Sequence, residues 1–351
     1  MEKNRTPVIE VRDVRRTFRS PKKGDGWKGA LGLLLRPEFQ TTEALKGVSF
    51  TIEPGAFIGL IGANGAGKTT LLKILSGLIP PTSGEARVLG YEPFRRPMDF
   101  RRRIALVMGQ KAQLWWDLPA IDAFDLLRAI YEIPPAVYRE RLHTLAELLD
   151  VERHLRTQIR RLSLGERMKM ELIGALIHWP GVVFLDEPTI GLDVLAAHKL
   201  REFLRVFNQR EKATILLTSH NMDDIERLCS RVLILREGEL IYDGTPRGLT
   251  RSGECRLKVR LMHVPAIEEL ARIAGVAQDA VEIRQKEDED GAGAQFVYFT
   301  IQRRQIVPVL QALMSSGQII EMGIEEQSLE SVIQRLYGAE AAGAARPVAP
   351  G

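Results

Sequence analysis

The feature that most restricts this chain is the loop Gly62-Ala63-Asn64-Gly65-Ala66-Gly67-Lys68-Thr69-Thr70. Directly before it, Phe57-Ile58-Gly59-Leu60-Ile61 is apolar on both faces, as a strand covered on two sides in a parallel sheet must be. Directly after it, Leu71, Leu72, Ile74 and Leu75 recur at helical spacing until Pro80-Pro81-Thr82-Ser83-Gly84 ends the element. A buried strand, a glycine-rich turn ending in Lys-Thr and a helix make up the phosphate-cradling P-loop pattern in full and in its required context. Gly65 and Gly67 let the backbone curl so that its N–H groups face one point. Phosphate oxygens can fill that point, helped by the positive end of the helix. Lys68 is placed to reach the β and γ phosphates, and Thr69 to offer its hydroxyl to Mg2+.

A second doubly apolar run, Val182-Val183-Phe184-Leu185, ends in Asp186-Glu187. A parallel sheet would bring this strand end to the same edge as the loop. There Asp186 would hold Mg2+ through water, and Glu187 would polarise an attacking water as general base. Ile104–Val107, Thr214–Thr218 and Val232–Leu235 are further apolar strands, the last turning at Glu237-Gly238-Glu239 so that Leu240–Tyr242 pairs back. Helical spacing covers most of Ile121–Leu149, interrupted at Pro134-Pro135, and also Met168–Trp179, Leu195–Phe207 and Met222–Cys229. Strands alternating with helices of this length predict an α/β domain with a mostly parallel sheet.

The pattern changes near Gly248–Gly253. Leu257, Val259 and Leu261 then alternate with charges, as in a half-exposed strand. Helices over Ile267–Ile273, Ile306–Met314 and Leu329–Leu336 and strands over Phe296–Ile301 and Ile319–Ile324 predict a small α+β domain, with Glu287–Gly291 as an acidic hairpin turn. The 351 residues suit two domains at roughly 150 residues each. With 45% hydrophobic and 27% charged residues, disorder throughout and a collagen-like repeat are excluded. No apolar run approaches the roughly 18 residues that cross a bilayer, and no apolar stretch behind Met1–Arg5 suggests a secretory signal. The net charge of +4 is small for this length and does not by itself argue for nucleic acid. Two cysteines, Cys229 and Cys255, make no disulfide scaffold and suggest a reducing compartment.

Leu162-Ser163-Leu164-Gly165-Glu166, shortly before the acidic strand, resembles the Leu-Ser-Gly-Gly-Gln signature of ATP-binding cassette (ABC) transporters. With the two motifs above, residues 8 to 245 resemble that family's ATP-binding subunit. The resemblance implies ATP with Mg2+, and a P-loop α/β domain over 1–248 whose mostly parallel core sheet carries an antiparallel N-terminal β-subdomain. It also implies a helical subdomain at about 110–178 and an insertion at about 20–42, followed by the α+β domain at 249–340 and a flexible tail at 341–351. Two copies would pack head to tail, with Ser163, Gly165 and Glu166 of one meeting the γ-phosphate held by the other's loop. Leu164 stands where the family has glycine and Glu166 where it has glutamine. The leucine is expected beside the phosphate and Glu166 as a first-turn carboxylate. Ser163 and the N–H groups of Gly165 and Glu166 would open the helix Met168–Trp179 as an anion-binding start.

By the same resemblance, Phe18 stacks on adenine, its alternative being an ordinary core phenylalanine. Gln110 senses Mg2+ and the attacking water, with Gln113 a second candidate. Asp193, in Ile190-Gly191-Leu192-Asp193, crosses the dimer interface, and His220, after Leu217-Thr218-Ser219, touches the γ-phosphate. The expected set is then Glu187, His220 and Gln110 for catalysis and Thr69, Gln110 and Asp186 for the metal. Phe18, Gly62, Asn64, Gly65, Ala66, Gly67, Lys68, Thr69, Thr70, Ser163, Gly165, Glu166 and Asp193 would hold the nucleotide.

Gln110–Pro119, with Trp115 and Trp116, and the segment at 20–40 resemble the exporter-type (ABC-2-like) branch. That implies a second copy and separately encoded integral membrane permease subunits as partners, at the cytoplasmic face of the membrane, with no nucleic acid. The segment from Ser20 to Pro37 is either a surface excursion or an amphipathic helix touching a membrane or partner. The C-terminal domain would support the dimer or regulate it. Two other classes remain as alternatives: a non-transport ABC ATPase acting on nucleic acid or the ribosome, and a non-hydrolysing ATP-binding module. The first is disfavoured by the single cassette and the lack of heptads; the second requires Glu187 to be idle.

Overall fold

The doubly apolar run before the loop is an inner strand of a six-stranded sheet in the computed structural model, which describes residues 6–21, 39–109, 113–250, 254–287, 293–316, 319–326, 329 and 332–333. The chain divides into two units, Met1–Gly244 and Thr245–Gly351.

The first unit opens with two long strands, β1 (Ile9–Pro21) and β2 (Phe39–Ile52). They are followed by β3 (Phe57–Gly62), helix α1 (Lys68–Leu75) and β4 (Ser83–Val88). A single-turn helix α2 (Met98–Arg101) leads to β5 (Ile104–Met108). Three helices then form a helical arm: α3 (Ala120–Ile130), α4 (Pro135–Leu149) and α5 (Leu164–Leu176). The chain returns through β6 (Val182–Asp186), α6 (Val194–Glu211), β7 (Thr214–Thr218), α7 (Met222–Leu228), β8 (Arg231–Arg236) and β9 (Glu239–Gly244).

The large sheet has the order β5-β6-β7-β3-β8-β9 and is parallel except where β9 pairs back on β8. Its inner strands are buried along their length because helices cover both faces. A separate antiparallel sheet, β2-β1-β4, packs Ile9, Val11, Val48 and Ile52 into one core with Leu71 and Leu75 of α1.

The structure corrects the sequence-based expectation at several places. β1 continues past the expected start of the insertion at residue 20. It runs to Pro21 and pairs with β2 down to Pro21↔Phe39, so the ladder enters the segment expected to be an insertion at 20–42. The remainder of that segment lies outside the described residues, as do Gln110, the tip of the acidic turn and the tail at 341–351. β4 was not expected, because only Ala86 and Val88 of its six residues are buried. The signature helix begins at Leu164, not Met168, and ends at Leu176. A Ser-x-x-Glu capping box sets that start: Glu166 N donates to Ser163 Oγ (3.3 Å) and Ser163 N to Glu166 Oε2 (2.9 Å).

The second unit starts with a short helix α8 (Pro246–Thr250) and continues β10 (Glu254–Leu261), α9 (Ile267–Ala274), β11 (Val281–Glu287), β12 (Gly293–Gln302), α10 (Ile306–Ser316) and β13 (Ile319–Glu326). β11 is the strand the sequence reading lacked. It pairs with β12 up to Glu287↔Gly293, so the acidic turn is flanked by a hairpin. The order β11-β12-β10-β13, all antiparallel, is a βαββαβ plait of the ferredoxin-like type. Leu257, Val259, Val297 and Phe299 face the two helices through Leu270, Val309 and Leu313. On the other face, Arg256 and Lys258 lie over the rings of Tyr298 and Phe296. Of the expected helix Leu329–Leu336, only residues 329, 332 and 333 are described; Leu329 and Ile333 are buried.

Candidate nucleotide site

Parallel pairing puts the carboxyl ends of β3, β6 and β7 at one edge, where the loop after β3 meets the acidic end of β6. Gly67 caps α1 at φ 105°, and a Cβ there would stand 2.5 Å from the carbonyl oxygen of Ala44. Only glycine fits this approach of the loop to β2. Lys68 is buried, and its Nζ donates to the carbonyls of Gly62 and Ala63. Burial pulls the Lys68 ammonium below its ordinary pKa, against the raising pull of Glu187 and Asp186. Asn64, Thr69, Lys73, Met108, Gly109, Asp186 and Glu187 line a hollow of about 270 Å³.

Thr69 Oγ1 donates to Asp186 Oδ2 at 3.0 Å, and Thr218 Oγ1 donates to Asp186 Oδ1 at 2.6 Å. The Thr69 hydroxyl and Asp186 carboxylate are hard oxygens, the donors Mg2+ takes. Two protein oxygens suit an ion whose remaining ligands are waters and substrate phosphates. The residues present therefore fit Mg2+ with a nucleoside triphosphate.

Glu187 diverges from Asp186 because its backbone is left-handed, with φ 55°. Its N–H is held by the carbonyl (3.1 Å) and hydroxyl (3.0 Å) of Thr218. Its Oε1 lies 2.7 Å from His220 Nε2. β5 passes directly beside this turn: a Cβ on Gly109 would be 2.2 Å from the Glu187 carbonyl oxygen, so the approach requires glycine.

Of the residues expected from the sequence, the structure thus gathers Lys68, Thr69, Asp186, Glu187 and His220. Ser163, Gly165 and Glu166 form a second group at the start of α5. There Glu166 accepts from Ser163 and lies 2.9 Å from His154 Nε2. That capping hydrogen bond, then the Ser163 hydroxyl and His154, hold its carboxyl below the usual range, against the opposing effect of burial. Gly165 faces Ala196 and Leu192. Asp193 caps α6 through Ala196 N at 2.8 Å. Phe18 is 39% exposed, so it is not a core phenylalanine, and Arg16 lies over its ring. Gln113 N donates to the buried Glu171 at 3.0 Å. Thr218 was not among the expected residues. Its place at the end of a buried strand facing Asp186 was the available signal.

The ABC transporter family model matches residues 45–190. The ABC transporter ATP-binding protein NatA of Bacillus subtilis is 32% identical over 245 residues, covering 70% of this chain and 92% of NatA.

This chain belongs to the ABC transporter family as an ATP-binding subunit.

A second family member, Nod factor export ATP-binding protein I of Cupriavidus metallidurans, is 32% identical over 289 residues, or 82% of this chain and 90% of its own. The ABC fold is shared with a dimeric ATP-binding cassette solved in a post-hydrolysis state with ADP and Pi, at a TM-score of 0.57 and 24% identity, over 68% of this chain and 98% of that one.

Proposed function

We propose that this chain hydrolyses ATP for an exporter-type ABC transporter, at the cytoplasmic face of the membrane, together with a second copy of itself and integral membrane permease subunits. One observation carries the proposal: Glu187 and His220 meet at 2.7 Å on the sheet edge where Thr69 meets Asp186. Lys68 and the loop N–H groups hold the phosphates. Mg2+, when bound with ATP, would neutralise phosphate charge. Thr69 and Asp186 would hold that ion through their side-chain oxygens. Glu187 takes a proton from the attacking water, and His220 keeps the Glu187 carboxylate aimed. Ser163 and Gly165 of the second copy complete the phosphate cage; the ATP-binding cassette of shared fold was itself solved as a dimer. The export direction is supported by the relative named for Nod factor export, whose likeness extends into the second unit. Trp115 and Trp116, 42% and 45% exposed, present the surface for the membrane partner.

The test is Glu187→Gln in the full chain. ATP turnover is lost while ATP-dependent dimerisation persists. Unchanged turnover would falsify the assignment of the general base, and a chain that stays monomeric with trapped nucleotide would overturn the two-copy mechanism.

A further inference from the structure

Asp224, in the first turn of α7, is fully buried. Its Oδ2 accepts from Thr189 Oγ1 and from Ser219 Oγ, each at 2.6 Å, and its Oδ1 accepts from Arg201 Nη1 at 2.8 Å. These donors come from three elements: the loop after β6, the loop after β7 and the body of α6. Two of them adjoin the reacting pair, since Thr189 follows Glu187 by one intervening residue and Ser219 directly precedes His220.

We propose that Asp224 is a positioning residue that ties the loop bearing Glu187 to the loop bearing His220 and so fixes the contact between them. The inference rests on the ATPase function proposed above.

The geometry explains why a carboxylate is needed. Glu187 sits in left-handed backbone, and its carbonyl accepts from Ile190 N at 3.2 Å, so residues 187 to 190 form a tight turn. Thr189 is the polar side chain inside that turn, and its bond to Asp224 sets how the turn leaves β6. On the other loop, Ser219 Oγ donates to Asp224 while accepting from Asn221 N at 3.0 Å, which fixes the backbone on both sides of His220. The His220 side chain is itself 48% exposed. Packing alone does not aim its ring, so the backbone anchor must. A neutral apolar residue at 224 could fill the space but could not take three donors from three directions. A hydrogen bond between two reacting side chains tolerates little drift: a misplacement of about 1 Å costs on the order of a hundred-fold in rate.

Asp224→Ala would strand the buried Arg201 guanidinium, so the single variants leave that ion pair in place and the double variant uses Asp224→Asn, which keeps an oxygen acceptor for Arg201. In the full chain, Thr189→Val lowers kcat for ATP by about ten-fold at unchanged KM and unchanged Tm, and Thr189→Ser restores kcat to within about two-fold. Thr189→Val combined with Asp224→Asn is no slower than Asp224→Asn alone, because both act through one carboxylate. Ser219→Ala behaves as Thr189→Val does. The proposal is overturned if Thr189→Val keeps the wild-type kcat, if kcat, KM and Tm fall together without rescue by serine, or if the double variant loses rate additively. If the unsubstituted chain hydrolyses no ATP, or Glu187→Gln changes nothing, the failure lies in the proposed function. Normal turnover with an inert Thr189→Val defeats the positioning role alone.

Discussion

His220 Nε2 lies 2.7 Å from Glu187 Oε1, and the two side chains come from loops after adjacent parallel strands, β6 and β7. The contact gives the Glu187 carboxylate, the general base proposed above, a fixed direction. Glu187 is further held from behind by its N–H bonds to Thr218, so neither its backbone nor its carboxylate is free to swing. His220→Ala removes the carboxylate's partner and leaves the phosphate-binding loop intact. Turnover should fall by about a hundred-fold or more while ATP binding is retained, measured by phosphate release beside nucleotide-binding titration. A loss of binding in place of turnover would contradict the role given to His220.

Glu171 is buried in α5, and its Oε1 accepts from Gln113 N at 3.0 Å and Leu114 N at 3.2 Å. Burial raises its pKa, while those two N–H groups and Arg167 pull the other way. The carboxyl joins the segment after Gln110 to the signature helix. Glu171→Ala leaves two N–H groups without an acceptor and should destabilise the first unit by about 1–3 kcal/mol, read by denaturant unfolding. Glu171→Gln keeps an acceptor and should lose less than half as much. Equal losses in both variants would show that the charge, not the acceptor, matters.

His178 stacks on Tyr131 with ring centroids 4.0 Å apart, and its Nε2 sits 3.0 Å from the Ile104 carbonyl. Burial lowers its pKa from 6.5 to about 4, with Arg141 acting in the same direction and the Ile104 carbonyl opposing. The folded state thus binds this proton less readily than the unfolded chain. Stability from this group is complete above pH 6.5 and is lost as the pH falls through about 4. The loss levels off below that point, at up to about 3 kcal/mol. Unfolding curves of His178→Gln and the wild type, taken across this window, should differ in pH slope there and run parallel above it.

Trp115 lines a hollow of about 280 Å³ between α2–β5 and the helical arm, together with Gln113, Tyr131, Glu171 and His178. Trp116 carries Arg167 of α5 over its ring at 4.5 Å. If the proposed permease subunits dock on this exposed aromatic, Trp115→Ala should weaken co-purification with them by about ten-fold or more, with Tm held within a few degrees. Undiminished recovery of the complex would place the docking surface elsewhere.

Much of the site was legible because its residues are adjacent in sequence to structural landmarks. Gly62–Thr70 sits between a doubly apolar run and a helical repeat, and Asp186-Glu187 ends another such run, so strand ends and chemistry coincide. The start of α5 was also legible. Ser163 and Glu166 form a Ser-x-x-Glu pair, but the apolar spacing from Met168 onward drew the boundary four residues too late. β4 and β11 were harder: only Ala86 and Val88 of β4 are buried, and five of the seven residues of β11 are charged or amide, so neither stands out from a loop. Asp224, Thr189, Ser219 and Arg201 carried no local signal. An acid on a short polar helix reads as solvent-facing until its neighbours in space are known.

Apolar runs along the chain were enough to bring a glycine loop, a lysine, a threonine and two adjacent acids to one edge of a parallel sheet, because those residues sit at the ends of the runs. Which way Glu187 turns, that His220 reaches it, and that the buried Asp224 accepts from both loops emerged only on packing. Those relationships join residues from separate crossovers, and their geometry depends on left-handed backbone and on donors that meet only after α6 and α7 pack.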